Sequence, residues 1–308
     1  MAEKLEAVIL DWAGTTMDYG CYAPAVAFRQ VFAEMGVPIS MLEARRPMGK
    51  HKKVHIGEIA NDPEVAKRWF AVHKRMPTEE DVDKMFEAFQ PAQLPYLTKY
   101  AGLIPGTLEA VEECRLMGLK IGSTTGYTGE MMDLLLNEAA EKGYFPDVSV
   151  CATGHYVLLG GELQGPLLGY GKDISRPNPA MCNLNAYLLN VSDNAAVVKV
   201  GDTLDDIREG KRAGMWTIGL AGTGNEMYFG EEHEGLTEEQ IRNRNPEGFR
   251  TKLKAAYSSM QMKSPDYIAD SIRDVHAIIY GINKRLENGL KPGQLVTRWW
   301  TDRKQSEC

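Results

Sequence analysis

Val8-Ile9-Leu10-Asp11-Trp12-Ala13-Gly14-Thr15-Thr16 is the stretch from which the fold is read. An apolar run ends abruptly on a carboxylate, and small and hydroxyl residues follow it. Leu5 to Leu10 has the length and composition of a strand buried within a parallel sheet. Asp11 then falls at the carboxyl end of that strand, where open α/β sheets place their ligands. Gly14, Thr15 and Thr16 offer backbone N–H groups and hydroxyls that can hold a phosphate against the carboxylate. The plainer reading is a turn-forming or capping Asp, and this stretch alone weighs the two about equally.

Outward from it the chain falls into blocks. Ala23 to Met35 has helical apolar spacing and is stopped by Gly36. Ser40 to Glu43 has the form of a capping box opening a short helix. Pro47-Met48-Gly49 breaks the chain, and a helix resumes from about Lys50. Pro63 to Val72 is a further helix, and Thr78 caps another that runs towards Tyr100. No strand pattern occurs between about 21 and 99, so this block is expected to be an all-helical insertion.

Alternation of strands and helices returns near residue 100. Helices are expected over Thr107–Met117, Thr128–Ala140, Pro179–Leu189 and Ile207–Ala213. Strands are expected over Leu119–Ser123, Asp147–Cys151, Ala196–Val200, Trp216–Leu220 and Asp266–Ala269, with a last helix over Ser271–Arg285. This order predicts an α/β fold with a Rossmann-like parallel sheet and helices on both faces. Asp11, the Ser123-Thr124-Thr125-Gly126 cluster and Asp202 all sit at strand ends and can converge on one crevice. Three segments fit less well. The stretch 151–172 reads as an added hairpin or a surface loop. Gly222 to Gly235 reads as an exposed loop. The tail 288–308, with Trp299-Trp300, has no clear period and is expected to be mobile or to pack on a neighbouring surface. The predicted organisation is a core of 1–20 with 100–287, a helical cap domain of 21–99, and the tail.

Composition narrows the class. The chain has 308 residues, 35 Lys and Arg against 42 Asp and Glu, and a net charge of −7. That balance argues against nucleic acid and anionic membranes as partners. No apolar run approaches the roughly 18 residues needed to span a bilayer, and no signal peptide is expected from the N-terminal residues. Cys21, Cys114, Cys151, Cys182 and Cys308 are scattered and form no C-x-x-C pair, which suits reduced thiols in a cytoplasmic compartment.

Four motifs carry a family resemblance. Asp11 after a strand, Thr125 after a strand, Arg176-Pro177-x-Pro179 before a helix, and Gly201-Asp202-x-x-x-Asp206 resemble the motifs of the haloacid dehalogenase superfamily. The helical block resembles that superfamily's cap. Most members carry a second Asp two positions after the first, and here that position is Ala13. With Asp18-Tyr19-Gly20-Cys21, Pro47-Met48-Gly49-x-x-Lys52-x-x-His55 and Gly122-Ser123-Thr124-Thr125-Gly126-Tyr127-Thr128, the chain is similar to the phosphonoacetaldehyde hydrolase (phosphonatase) family over about residues 4–285.

The resemblance implies cleavage of the P–C bond of phosphonoacetaldehyde to acetaldehyde and phosphate, in the degradation of 2-aminoethylphosphonate. A carbanion leaves poorly, so an electron sink is needed, and a Schiff base on Lys52 would supply it. Lys52 must then be neutral, with its pKa lowered by burial or by cations such as Lys50, Lys53 and His55. His55, three residues on, is implied as a proton shuttle. Asp11 is implied as the nucleophile on phosphorus, giving an aspartyl phosphate. Two anions meet there, so a Mg²⁺ ion fits, held by Asp11, the Ala13 carbonyl and Asp202, with Asp206 behind them. Thr125 and the Gly126 amide would hold phosphoryl oxygens, and Arg176 would bind the phosphoryl group or Asp11. Cys21, Met48 and Tyr127 would line the substrate pocket, and Asp205 would face solvent. Ala13 speaks against an ordinary phosphate-ester phosphatase, in which the second Asp protonates an alkoxide. A small-molecule phosphonate substrate and a homodimer through the cap are implied. Without the resemblance, Lys50, Lys52 and Lys53 read as a solvated basic face, His55 as an ordinary histidine and Arg176 as a surface residue. The alternatives are a related capped phosphohydrolase with another phosphonate or phosphate ester, or a non-catalytic member that binds a phosphorylated ligand.

Overall fold

The computed structural model describes residues 3–159, 162–167, 174, 176–294 and 298–299. The chain opens with strand β1 (Ala7–Leu10) and then enters five successive helices: α1 (Tyr22–Glu34), α2 (Met41–Arg45), α3 (Lys52–Ala60), α4 (Pro63–His73) and α5 (Glu79–Lys99). Alternation follows with α6 (Thr107–Leu116), β2 (Lys120–Thr125), α7 (Gly129–Glu141), β3 (Val148–Cys151), β4 (His155–Leu159), β5 (Glu162–Leu167) and α8 (Ala180–Leu188). The remainder is β6 (Val197–Gly201), α9 (Leu204–Arg212), β7 (Trp216–Leu220), α10 (Glu238–Arg244), α11 (Pro246–Met262), β8 (Tyr267–Ala269), α12 (Val275–Glu287) and β9 (Arg298–Trp299).

One sheet runs β5-β4-β3-β2-β1-β6-β7-β8-β9. It is parallel apart from β4 and β5, which are antiparallel. β1 lies between β2 and β6, with Leu10 opposite Ser123 on one side and Val200 on the other. The alternation within β1 explains its unbroken apolar run. Val8 and Leu10 join one core cluster with Cys114 of α6 and Leu135 of α7, whereas Ala7 and Ile9 join another with Met181 and Ala186 of α8. A strand covered on both faces has no polar side.

The helical segment is built from strong local signals. Ser40 and Glu43 form a capping box at α2, as do Thr78 and Asp81 at α5. Asp62 caps α4, with Pro63 at its first position. In α3 the buried residues Lys52, His55, Ile56 and Ile59 follow the helical period, so one face of the helix turns inward.

One alternative is decided and three expectations change. The 151–172 stretch forms a hairpin, β4–β5, that extends the sheet, with Leu158 opposite Leu163; its residues 160–161 and 168–172 lie outside the described ones. Helix α9 starts at Leu204 rather than Ile207, because Thr203 and Asp206 make a capping box. The loop after β7 is not exposed at its start: Thr223 and Met227 are buried, and Thr223 Oγ1 donates to the Gly14 carbonyl at 2.7 Å. In the tail, Arg298 and Trp299 pair in parallel with Tyr267 and Ile268 as β9, and residues 300–308 lie outside the described ones. No helix among the described residues is long and apolar enough to cross a membrane. Cys21, Cys114, Cys151 and Cys182 are all buried free thiols.

Candidate active site

The ends of β2, β1 and β6 bring Thr125, Asp11 and Asp202 side by side, because the three strands are neighbours in register. The loop after Asp11 is held by its own bonds. The Trp12 carbonyl accepts from the amides of Thr15, Thr16 and Met17 at 3.1, 2.9 and 3.1 Å, and the Gly14 amide donates to the Met17 carbonyl at 2.8 Å. Thr16 Oγ1 donates to the Asp11 carbonyl at 3.1 Å, and Trp12 Nε1 donates to Ser123 Oγ at 3.0 Å. This corrects one expectation. The Gly14–Thr16 amides are already used to close a turn, so they do not face a phosphate.

Asp11 is buried, and Arg176 Nη2 meets its Oδ1 at 2.6 Å. Arg176 also binds Asp206 Oδ1 at 2.9 Å and Glu209 Oε2 at 3.0 Å, and Lys199 Nζ adds a second contact to Asp206 Oδ1 at 2.9 Å. Arg176 is therefore not the surface residue that the sequence alone allows. Burial drives the Asp11 carboxyl above its usual range against the pull of Arg176. Asp206, also buried, is held down to about 2 by Arg176 and Lys199. Burial, with Asp11 and Asp206 nearby, pushes Asp202 up to about 7.

Metal-ligand atoms of Asp11, Asp202 and Asp206 lie within 4.8 Å of one another. Asp202 Oδ1 is buried without a hydrogen-bond partner, while its Oδ2 accepts from the Asn225 amide at 2.8 Å. A Cβ on Gly224 would fall 2.1 Å from Asp202 Oδ2, so the backbone closes tightly over this carboxylate. Three buried carboxylates (Asp11, Asp206 and Glu209) share two cations, Arg176 and Lys199, and the buried Asp202 pairs with neither. An orphaned oxygen beside excess negative charge fits a hard divalent cation with oxygen ligands.

Lys52 faces the same space from the helical segment. A small cavity is lined by Asp11, Ala13, Cys21, Met48, Lys52 and Thr125, together with Gly126, Tyr127 and Arg176. Lys52 is 8% exposed, and its Nζ lies 5.3 Å from the centre of the Tyr127 ring and 5.7 Å from that of Phe28. Burial lowers it to about 8. The neighbouring lysines contribute differently from the sequence expectation. Lys50 lines the cavity but pairs with Glu58, Lys53 pairs with Asp83 at the surface, and the cation that helps burial lower Lys52 is Arg176.

His55 is fully buried but does not line this cavity. Its Nε2 donates to the Ala44 carbonyl at 2.7 Å and its ring stacks on Phe28 with centroids 3.8 Å apart, leaving Nδ1 without a partner. Burial beside Lys52 holds it well below the usual histidine range. Cys21 Sγ donates to Asp202 Oδ2 at 3.6 Å. Asp205 is buried rather than solvent-facing and lies 3.6 Å from Arg208.

Sequence reasoning passed over Lys199, Glu209, Thr124 and Asn225. Lys199 carried a signal, a lone charge within Val197-Val198-Lys199-Val200. Glu209 carried another, three positions after Asp206 and so on the same helix face. Thr124, whose carbonyl and hydroxyl accept from Arg176 Nη2 at 2.7 and 2.9 Å, and Asn225 had none beyond position.

Residues 5–214 match the family model of the haloacid dehalogenase-like hydrolases. A phosphonoacetaldehyde hydrolase-like protein of Syntrophobacter fumaroxidans is 41% identical over 289 residues, covering 94% of this chain and 95% of that protein. A phosphonoacetaldehyde hydrolase of Bacillus cereus is 38% identical over 282 residues, covering 92% and 98%. The crystal structure of a phosphonoacetaldehyde hydrolase-like protein from Oleispira antarctica superposes with a TM-score of 0.79 at 33% identity, covering 94% of this chain and 96% of that one. Motifs, sheet order and relatives agree that this chain is a haloacid dehalogenase-like hydrolase and belongs to the phosphonoacetaldehyde hydrolase family.

Proposed function

We propose that this chain hydrolyses the carbon–phosphorus bond of phosphonoacetaldehyde to acetaldehyde and phosphate. The observation that carries the reading is the placement of Lys52. It is a buried lysine with no carboxylate in ion-pair contact among the described residues, in one cavity with Asp11, Thr125 and Arg176, and with Ala13 where a second carboxylate would stand. A phosphatase for ordinary esters has no use for that amine, whereas P–C cleavage requires an electron sink.

In this reading the neutral Lys52 amine adds to the aldehyde carbon, and the adduct takes up one proton and loses water to give an iminium. Arg176 occupies Asp11 Oδ1, so Oδ2 attacks phosphorus. The C–P bonding pair moves into the iminium and forms an enamine. Protonation of its terminal carbon gives the acetaldehyde iminium, and water then releases acetaldehyde and a proton and frees the neutral Lys52. A second water cleaves the aspartyl phosphate and restores Asp11. Thr125 and Gly126 hold phosphoryl oxygens, and His55 Nδ1 accepts and returns protons behind Lys52. Cys21, Met48 and Tyr127 enclose the aldehyde end. Asp11, Asp202 and the Ala13 carbonyl would hold Mg²⁺, with Asp206 behind them; when bound, the ion offsets the repulsion between carboxylate and phosphonate. Helices α1–α5 act as a cap, and the chain works as a cytoplasmic homodimer through it. Exposed Leu42, Val54, Phe70, Val72 and Met76 on this segment support that contact.

The test is borohydride reduction in the presence of phosphonoacetaldehyde, followed by peptide mass mapping. A reduced two-carbon adduct on Lys52, absent in Lys52→Arg, is expected. No adduct, with phosphate released from phosphate esters and none from phosphonoacetaldehyde, would replace this reading with hydrolysis of a phosphate ester.

A further inference from the structure

We propose that Arg45 is a positioning residue that couples the seating of the helical segment on the core to the placement of Asp202. It is the last residue of α2 and only 3% exposed, yet it makes no ion pair with a carboxylate among the described residues. Its guanidinium is spent on backbone carbonyls from two distant parts of the core. Nη1 donates to the Cys21 carbonyl at 3.2 Å, and Nη2 donates to the carbonyls of Gly20 and, at 3.2 Å, Asn225. The cation also lies 4.6 Å from the Tyr228 ring centre and 5.6 Å from that of Tyr22.

A buried cation held by neutral acceptors, with Nε left without a partner, is a costly choice. What it supplies is geometry, because a planar fork holds several acceptors in one fixed arrangement and an ammonium does not. Two features of the site, the Gly20–Cys21 junction and the Asn225 loop, depend on that arrangement, and the main chain of the same residue sets a third. Gly20 and Cys21 are where the chain passes from β1 into the helical segment, and Cys21 lines the cavity. The Arg45 carbonyl accepts from the Met48 amide at 3.1 Å and from Asn225 Nδ2 at 3.3 Å, so the turn carrying Met48 is set from the same residue. Asn225, gripped at both its carbonyl and its side chain, presents the amide that binds Asp202 Oδ2 at 2.8 Å. Withdrawing the guanidinium frees the Asn225 loop, and with it the only polar neighbour among the described residues, apart from the Cys21 thiol, that orients the Asp202 side chain.

The inference rests on Asp202 being a metal ligand, as proposed above, and the experiment separates the two. Binding of Mn²⁺ to the full-length parent, Arg45→Lys, Arg45→Met and Asp202→Asn is followed by the electron paramagnetic resonance signal of the free ion. Amide hydrogen exchange is measured on the same proteins without metal. Asp202→Asn is expected to lose Mn²⁺ binding. Arg45→Lys is expected to remain folded by circular dichroism, to bind Mn²⁺ roughly tenfold or more weakly, and to exchange faster at residues 20–22 and 224–226. A merely structural staple would lower the melting temperature and leave Mn²⁺ affinity unchanged. Parent-like Mn²⁺ affinity in Arg45→Lys overturns the proposal, whether or not Arg45→Met folds. Parent-like affinity in Asp202→Asn, or a parent that binds no Mn²⁺, removes the metal reading of Asp202 and the coupling with it.

Discussion

Lys52 shows what one position demands of its surroundings. Burial brings its pKa from 10.5 to about 8, so the ammonium form carries a folding cost at neutral pH. The sign follows from proton counting. Between about 8 and 10.5 the unfolded chain binds more protons than the folded one, so the cost is present in full below about 8 and is relieved as pH rises towards 10.5. Lys52→Met is therefore expected to be more stable than the parent at pH 7, by roughly 2–3 kcal/mol, with the gap closing as pH rises above 8. Urea denaturation at several pH values checks this, and an equal gap at pH 7 and pH 10 would refute it. The same variant loses turnover by roughly a thousandfold or more, and the parent's rate climbs with pH until a limb near 8. Asp11, Lys52, Thr125, Arg176 and Asp202 were legible as candidates through the family resemblance that their motifs carry, since the residues alone left Lys52 on a solvated face and Arg176 at the surface. The depth of their burial was not, and neither was the way Lys50 and Lys53 turn to surface carboxylates.

Among the elements, the turn between α2 and α3 is pressed closely against the start of α9. Gly49 has φ +98, and a Cβ there would lie 2.8 Å from Thr203 Oγ1 at the start of α9. Gly49→Ala should push the turn away from Thr203 and carry Met48 and Lys52 out of line, reducing kcat/KM by roughly 10–100-fold. Steady-state kinetics beside a melting curve decides the matter, and unchanged kcat/KM would mean that the close approach does not set the site. Helix starts marked by Ser40 and Thr78 could be read from the sequence, since each cap is a local exchange of side-chain and backbone bonds. The start of α9 was missed because Asp206 does two jobs. It closes the capping box with Thr203 and also anchors Arg176 and Lys199.

For the whole molecule, the sheet order places the three strand ends together and sets the helical segment over them. Light scattering is expected to give twice 34.3 kDa, and Phe70→Glu, at an exposed apolar position on α4, should shift the species towards monomer. A parent monomer at micromolar concentration would exclude the dimer through this segment.

By itself the sequence determined the α/β class, the central strand and the long helical interruption, because apolar period and capping chemistry act over a few residues. It also marked Asp11, Ala13 and Lys52 as an unusual set. Tertiary structure decided what each could reach. Only packing shows that the Gly14–Thr16 amides are consumed in a turn, that Asn225 orients Asp202, and that β4 and β5 extend the sheet. The physical reason is that propensity and periodicity describe a segment alone, whereas hydrogen-bond satisfaction and burial depend on which groups packing brings together, some near in the chain and some far, as Arg176 with Asp11 and Thr223 with Gly14.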